Sequence, residues 1–335
     1  MKHILAVLTG GTIGSSLKNG IISPDNGSSA LSVYEEWYHD DVKLTVCQPM
    51  NLLSENLNCH HWELLVNTLR AMPLDDYDGI IITHGSDTLS YSSAMLAMCL
   101  SDLPKPVVIT ASNLVPEHPD SNAAVNLHAA AVLIRTFARG IFTVYQNPGA
   151  DGCAVYIPTR LCECHRYSGC FSSFDGTPYG LVKGDCFRQL LARPDAQELV
   201  NFHSPLMLTQ PLTLSKEVLL LRPYPSMPYE RITLPESVGA VLQITYHSST
   251  ACSEPENSAL TLLQRCEERG IPFYMASFPK RSAGMYASTD ILVKNGAIPL
   301  YDLSDEAAYA KLMLACNLYS DSRDWVSRDY YFETV

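Results

Sequence analysis

Two kinds of apolar pattern alternate along the chain. Short, uninterrupted apolar runs stop abruptly at glycine and hydroxyl-bearing residues. Residues 4–8 (ILAVL) end at Thr9-Gly10-Gly11-Thr12-Ile13-Gly14, and residues 79–83 (GIIIT) end at His84-Gly85-Ser86-Asp87-Thr88. Runs of this kind suit strands buried on both faces of a parallel sheet. Further strands are expected at residues 43–47, 106–110, 141–145, 218–222, 239–245 and 272–276. Between them lie helical patterns. Residues 60–71 place Trp62, Leu64, Leu65 and Leu69 at helical spacing, and residues 89–101, 120–136, 258–269 and 304–316 are also expected to be helical. Ser304 is placed to cap the last of these, with Asp305 and Glu306 in its first turn, and Gly270 is placed to end the helix before it. The alternation predicts an α/β protein with parallel sheets. Residues 15–30, rich in Ser, Gly, Asn and Pro, read as a mobile loop, and the proline-bearing stretch 187–211 reads as holding a polar link.

Length divides this pattern in two. The 335 residues are long for one core. We expect a larger amino-terminal α/β domain over residues 1–200, a linker over 201–214 and a smaller carboxyl-terminal α/β domain over 215–335. A hydrophobic content of 47% with 17% charged residues is that of a compact soluble enzyme. The formal net charge of −12 argues against nucleic acid as a partner. No apolar run approaches a membrane span, and the amino terminus has no signal-peptide layout, so a cytoplasmic protein is expected. The 11 cysteines then read as reduced thiols. Cys162, Cys164, His165 and Cys170 cluster in sequence, but their spacing does not match the paired cysteines of a structural zinc site. Neither a metal nor a cofactor is expected.

The chemistry concentrates in the two glycine-bounded loops. Glycine lets the backbone turn tightly and approach a ligand closely, and ligands of open α/β sheets sit at the carboxyl ends of the strands. If residues 4–8 and 79–83 are neighbouring strands, Thr12, Ser86, Asp87 and Thr88 meet at one sheet edge as a nucleophile and a polar clamp. Two plainer readings stay open: residues 9–14 as an ordinary strand-to-helix turn, and Ser86 with Asp87 as caps of the following helix.

TGGTIG at 9–14 followed by HGSDT at 84–88, each after an apolar strand, resembles the bacterial-type asparaginase (asparaginase/glutaminase) family, in its type I-like form. The resemblance implies a two-domain α/β fold and hydrolysis of an amino-acid amide. Thr12 would be the nucleophile, forming an acyl-enzyme. Water near Ser86 would hydrolyse it, and Asp87 would anchor the substrate ammonium. Residues 48–57 (QPMNLLSENL) resemble the segment that grips the α-amino acid end, with Ser54 on the carboxylate and Glu55 facing the ammonium; the residues alone allow Ser54 as an N-cap and Glu55 as a first-turn acid. Gly11 and Gly85, with Ser86 and Asp87, would line the substrate site, and backbone N–H groups of both loops would hold the oxyanion.

Three residues depart from the family pattern. Ile21 stands where the family has a lid tyrosine, with Tyr34 the first tyrosine further on. Ser86 replaces a threonine. Arg160, Phe171 and Ser173 fit a family arginine, aromatic and serine if one residue is deleted, and Glu163 then falls on the family's lysine. Either Glu163 and Asp87 raise one another's pKa, or Glu163 points to solvent. The stretch from 239 onward resembles the smaller family domain, but the loop that supplies an asparagine across a subunit interface reads Tyr246-His247-Ser248-Ser249 here. The resemblance implies a homotetramer built from close dimers. The expected activity is conversion of L-asparagine to L-aspartate and ammonia. Glutamine or another amide as substrate, and a non-catalytic amino-acid-binding protein, are the alternatives. The related tRNA-dependent amidotransferase subunit carries an additional amino-terminal domain, whereas this chain begins at its first strand, which argues against that reading.

Overall fold

A computed structural model describes residues 1–25, 29–38, 41–206, 208–255, 257–280, 284–319 and 322–335. The chain divides into two compact units: Met1–Leu212 with Tyr330–Phe332, and Thr213–Asp329 with Glu333–Val335.

The first unit is built on one eight-stranded sheet. Its elements in chain order are β1 (Lys2–Leu8), the hairpin β2 (Ser15–Lys18) and β3 (Ile21–Pro24), α1 (Ser29–Trp37), β4 (Val42–Cys47), α2 (Cys59–Ala71), β5 (Gly79–Thr83), α3 (Leu89–Leu100), β6 (Pro106–Thr110), α4 (Ala123–Thr136), β7 (Gly140–Tyr145), β8 (Cys153–Tyr156), β9 (Gly180–Lys183), β10 (Cys186–Gln189) and α5 (Ala196–Asn201). The sheet order is β10-β9-β8-β7-β6-β5-β1-β4. Strands β4, β1, β5, β6 and β7 run parallel, and β8, β9 and β10 continue antiparallel. The uncharged runs read as strands covered on both faces are just that: β5, β6 and β7 are buried along their whole length. Helix α4 is alanine-rich and almost wholly buried, which lets it lie close to the sheet.

The second unit repeats the βα alternation on a smaller scale: β11 (Glu217–Leu221), β12 (Val238–Ile244), α6 (Ala259–Glu268), β13 (Phe273–Phe278), α7 (Ala287–Lys294), β14 (Ile298–Tyr301), α8 (Asp305–Leu318) and α9 (Ser322–Val326). The four strands are parallel in sequence order. Val241, Leu262, Leu263, Phe273 and Met275 lie in its core. The expected caps are present: the Ser304 side chain accepts from Ala307 N–H, and Gly270 adopts φ +67° after α6.

Three expectations need correction. Residues 15–25 are not a mobile loop but the β2–β3 hairpin, and α1 begins at Ser29; residues 26–28 of that stretch lie outside the described residues. The stretch 187–211 is only partly linker, since it holds the end of β10 and all of α5. The residues Tyr330–Phe332, assigned by sequence to the second domain, group with the first unit, where Tyr331 Oη donates to Ile141 O at 3.1 Å. Among the described residues, no helix is long and apolar enough to cross a membrane.

Candidate active site

Strand order alone picks out one sheet edge. The chain leaves β1 for β4 on one side and then crosses to β5 on the other, so β1 lies at a topological switch point, where open α/β sheets bind ligands. Leu8 of β1 is in register with Thr83 of β5, so the TGGTIG and HGSDT loops leave adjacent strands at the same level. Thr9 Oγ1 donates to Thr83 O at 2.8 Å in the buried floor between them.

The two loops touch through their glycines. Gly11 holds φ +73°, and a Cβ placed on it would lie 2.4 Å from Gly85 Cα. A Cβ on Gly85 would lie 2.4 Å from Ser54 Oγ. The third loop, after β4, is drawn in by backbone pairing: Gly11 N–H donates to Leu52 O at 2.8 Å and Leu52 N–H to Thr9 O at 3.1 Å. Thr88 Oγ1 donates to Ser54 O at 3.2 Å. Gly11, Gly85 and Ser54 therefore converge, and each stands at a 3-10 turn: Thr12–Gly14, Ser86–Thr88 and Ser54–Asn56. Thr12 and Ser86, the residues after the touching glycines, are half-buried; Asp87 and Glu55 are exposed; Ser54 is buried.

The capping alternatives do not hold. No side chain caps the start of α3, where Thr88 takes the N-cap position without a capping hydrogen bond, so Ser86 and Asp87 are not spent on that helix. Ser54 lies inside its turn rather than capping it, although Glu55 is an acid of that first turn. His84, fully buried, is pushed below the ordinary imidazole pKa by burial, with a smaller opposing effect from its Nδ1 contact to Gly85 O at 2.9 Å. It therefore stays neutral beneath the loop.

The close glycine contact carries a prediction. Gly11→Ala forces a Cβ into the Gly85 backbone at a positive φ, a cost of about 1–3 kcal/mol. The melting temperature should fall by about 5 °C, and amide turnover should fall with it. Differential scanning calorimetry beside an ammonia assay checks both; an unchanged melting temperature contradicts the contact.

The departures from the family pattern have definite places. Glu163 is exposed, but it does not simply point to solvent: its Oε1 accepts from Tyr91 Oη at 2.8 Å. Arg160 is committed to structure, with Nε donating to Phe332 O at 2.7 Å and Nη1 to Asp175 at 3.3 Å. Phe171 is buried edge-on to Tyr145, and Ser173 donates to Asp175 at 2.5 Å. Ile21 begins β3, the second strand of the hairpin, and is 68% exposed. The hairpin base is tied to the site: Asp25 N–H donates to Gly14 O at 3.0 Å, and Asn51 Nδ2 donates to Asp25 O. Tyr34 is buried in α1 and stacked on Tyr38.

The cysteine cluster lies along a tight double strand in which Leu161 bridges Ser173 and Cys162 N–H donates to Ser172 O. Burial raises the pKa of the Cys164 thiol, and the charges of Cys170 and Asp87 raise it further. Among the described residues no three of His, Cys, Asp and Glu are grouped to hold a metal. His247 is exposed in the second unit and lines a cavity of about 810 Å³ with Lys280, Tyr286 and Tyr301.

A parallel sheet with hydroxyl-bearing glycine loops at its switch point, and a second βα unit, is the architecture of the asparaginases, and the chain belongs to that family: the family described as "Asparaginase, N-terminal" matches residues 3–185, which include all three converging loops. Among individual relatives, a glutamyl-tRNA(Gln) amidotransferase component of Thermococcus kodakarensis is 26% identical over 317 residues, covering 91% of this chain and 69% of that protein. An L-asparaginase of the same organism is 31% identical over 189 residues, 54% of each chain. The solved structure of the thermostable L-asparaginase from Thermococcus kodakarensis superposes with a TM-score of 0.78 over 99% of both chains, at 24% identity, and so shares the fold.

Proposed function

We propose that the chain hydrolyses the side-chain amide of L-asparagine, giving L-aspartate and ammonia through a Thr12 acyl-enzyme. The observation that carries this reading is the contact of Gly11 with Gly85, which sets two glycine–hydroxyl pairs, Gly11-Thr12 and Gly85-Ser86, against each other at the switch point. Thr12 Oγ attacks the amide carbon. Gly11 N–H is already given to Leu52 O, which directs the oxyanion to the N–H groups that follow the two glycines. After ammonia leaves, water near Ser86 opens the ester. Asp87 and Glu55 supply the negative charge that fixes the substrate ammonium, and Ser54 the hydroxyl for its carboxylate. In this reading the protein is cytoplasmic, acts as a homo-oligomer and needs no cofactor.

A second reading rests on the match to the amidotransferase component, which covers 91% of this chain. The choice between the two rests on chemistry and not on where the first strand falls. An amidase acting alone releases ammonia from free asparagine with no other component present.

The test is ammonia release by the purified chain from asparagine, glutamine and a panel of other amides. Turnover of asparagine supports the proposal, and turnover of glutamine or another amide in its place reassigns the substrate. No turnover by the wild type, with turnover gained by Glu163→Lys, identifies a non-catalytic amino-acid-binding protein.

A further inference from the structure

The first unit carries a second concave site, at the opposite edge of its sheet. The hydroxyl loops leave the carboxyl ends of β1 and β5. A cavity of about 400 Å³ lies instead where the chain enters the strands at their amino ends. Arg70 belongs to the last turn of α2, Asp102 follows α3, and Arg139 immediately precedes β7. His203, Ser204 and Thr209, from the stretch after α5, also line the cavity. All six lie within the single compact unit Met1–Leu212.

The charges around this cavity do not cancel. Asp102 is the one carboxylate among its described lining residues, and Arg70 grips it as a fork, through Nη1 at 2.7 Å and Nη2 at 2.9 Å. That pair neutralises itself. Arg139 meets only carbonyls: Nη2 donates to Ser101 O at 2.7 Å and Nη1 to Val200 O at 3.1 Å. Its Nε is buried with no hydrogen-bond partner, and no carboxylate among the described residues pairs with it. Holding the end of α3 explains the bond to Ser101 O. It leaves a full positive charge uncompensated and a buried donor without an acceptor. Such a donor costs about 1–3 kcal/mol, and an unsatisfied buried group in a folded protein marks the place of an ion or a water. The overall field does not draw anions here, because the chain carries a formal net charge of −12; only local donors can hold one. Those donors are present. Ser204 Oγ accepts from Leu206 N–H at 3.1 Å, so its own proton remains to be donated. His203 and Thr209 are exposed, and neither has a hydrogen-bond partner among the described residues. Guanidinium, imidazole and hydroxyl together suit the several acceptor oxygens of a phosphate.

We propose that this cavity binds a phosphate group, held by Arg139 and His203 with the hydroxyls of Ser204 and Thr209, at the sheet edge opposite the hydroxyl loops. The phosphate is either inorganic or the charged end of a small phosphorylated molecule, whose organic part would lie against Leu206 and Leu208, which also line the cavity. The site does not depend on the amidohydrolase reading.

The experiment is calorimetric titration of the whole chain with inorganic phosphate and, separately, with glycerol 3-phosphate, in chloride buffer of matched ionic strength. The wild type should bind phosphate saturably, with Kd below about 10 mM. Glycerol 3-phosphate binding more tightly than inorganic phosphate identifies a phosphorylated molecule as the ligand, and equal or weaker binding identifies the free ion. Arg139→Gln should weaken binding by about 10–100-fold. Because Arg139 also holds two backbone carbonyls, His203→Ala and Thr209→Ala repeat the test at exposed side chains on which the fold does not rest. They should weaken binding by about tenfold and about threefold, with circular dichroism unchanged. No saturable binding of either phosphate by the wild type overturns the proposal. Binding that is equal in the wild type, His203→Ala and Thr209→Ala places the anion elsewhere and overturns it as well.

Discussion

Thr12→Ala should abolish amide hydrolysis, with kcat falling by a factor on the order of 10⁴ or more and the fold intact. The size follows from what is removed. Without a nucleophile no acyl-enzyme forms, and the remaining loops offer water only a polarised carbonyl. The residual rate from such a site is small, because losses within one catalytic unit do not add independently. The fold should survive because Thr12 is half-buried in a three-residue turn, while the neighbouring Gly11–Gly85 contact and the Leu52 pairing hold the loop without it. Substrate should still bind through Asp87, Glu55 and Ser54, so the variant should retain its affinity for asparagine in calorimetry. Thr12→Ser keeps a hydroxyl and should keep part of the rate. An ester adduct on the peptide containing Thr12, trapped by acid quench and read by mass spectrometry, should occur in the wild type and be absent in Thr12→Ala. Asparagine turnover that survives the alanine substitution rejects Thr12 as nucleophile.

Much of this site was legible because its signals are local. An apolar run ended by glycine needs only a few neighbouring residues to identify it, and β1 and β5 with their loops stand where the pattern puts them. The cap at Ser304 is equally local. The hairpin was hidden by composition: Ser, Gly and Asn in residues 15–30 read as loop. Its signal was nonetheless present in Asn19-Gly20, both at positive φ (53° and 77°), the pair that favours a two-residue hairpin turn. Tyr91 was missed for a different reason. Its helix is apolar nearly throughout, so a lone tyrosine reads as core. Only the tertiary approach of the 161–173 strands makes it a partner of Glu163. The grouping of Tyr330–Phe332 with the first unit depends on contacts across some 190 residues, which no local pattern encodes.

The departures also change what the site asks of its parts. With Arg160 tied to Phe332 O and Asp175, and Glu163 in place of a lysine, the named side chains around the three loops are hydroxyls and carboxylates. Such a site depends on a fixed backbone more than on a cationic side chain, which is consistent with the tight glycine contact.

Lys311→Met should be the most destabilising single change in the second unit, lowering its unfolding free energy by about 3–5 kcal/mol near pH 8. Lys311 Nζ lies 2.7 Å from Glu333 Oε1, and both side chains are almost completely buried, at 2% and 0% exposed. Its partner lies beyond the end of α8 and the whole of α9. Removing the ammonium leaves the Glu333 carboxylate buried with Asp329 beside it, an arrangement costlier than no charge at all. Asp329, although the residue keeps contact with solvent, shows the strain of that company: desolvation of its carboxyl first, then the hydrogen bond and charge of Glu333, push its pKa up from 3.8 to about 7, against the opposing pull of Lys311. Because the folded state holds this proton more tightly than the unfolded chain, the contribution of Asp329 is fully present below about pH 4 and is lost as pH rises through about 7. Asp329→Asn should remove that slope and be more stable than the wild type at pH 8. Replacing both members of the ion pair, as Lys311→Met with Glu333→Leu, should recover most of the loss, because an apolar pair leaves no charge unsatisfied. Urea unfolding followed by fluorescence of Trp325, which stacks on Tyr319 in this unit at 3.5 Å, measures each variant against the wild type. A loss below about 1 kcal/mol in Lys311→Met, within the range of an exposed ion pair, shows that the pair is not sealed from water.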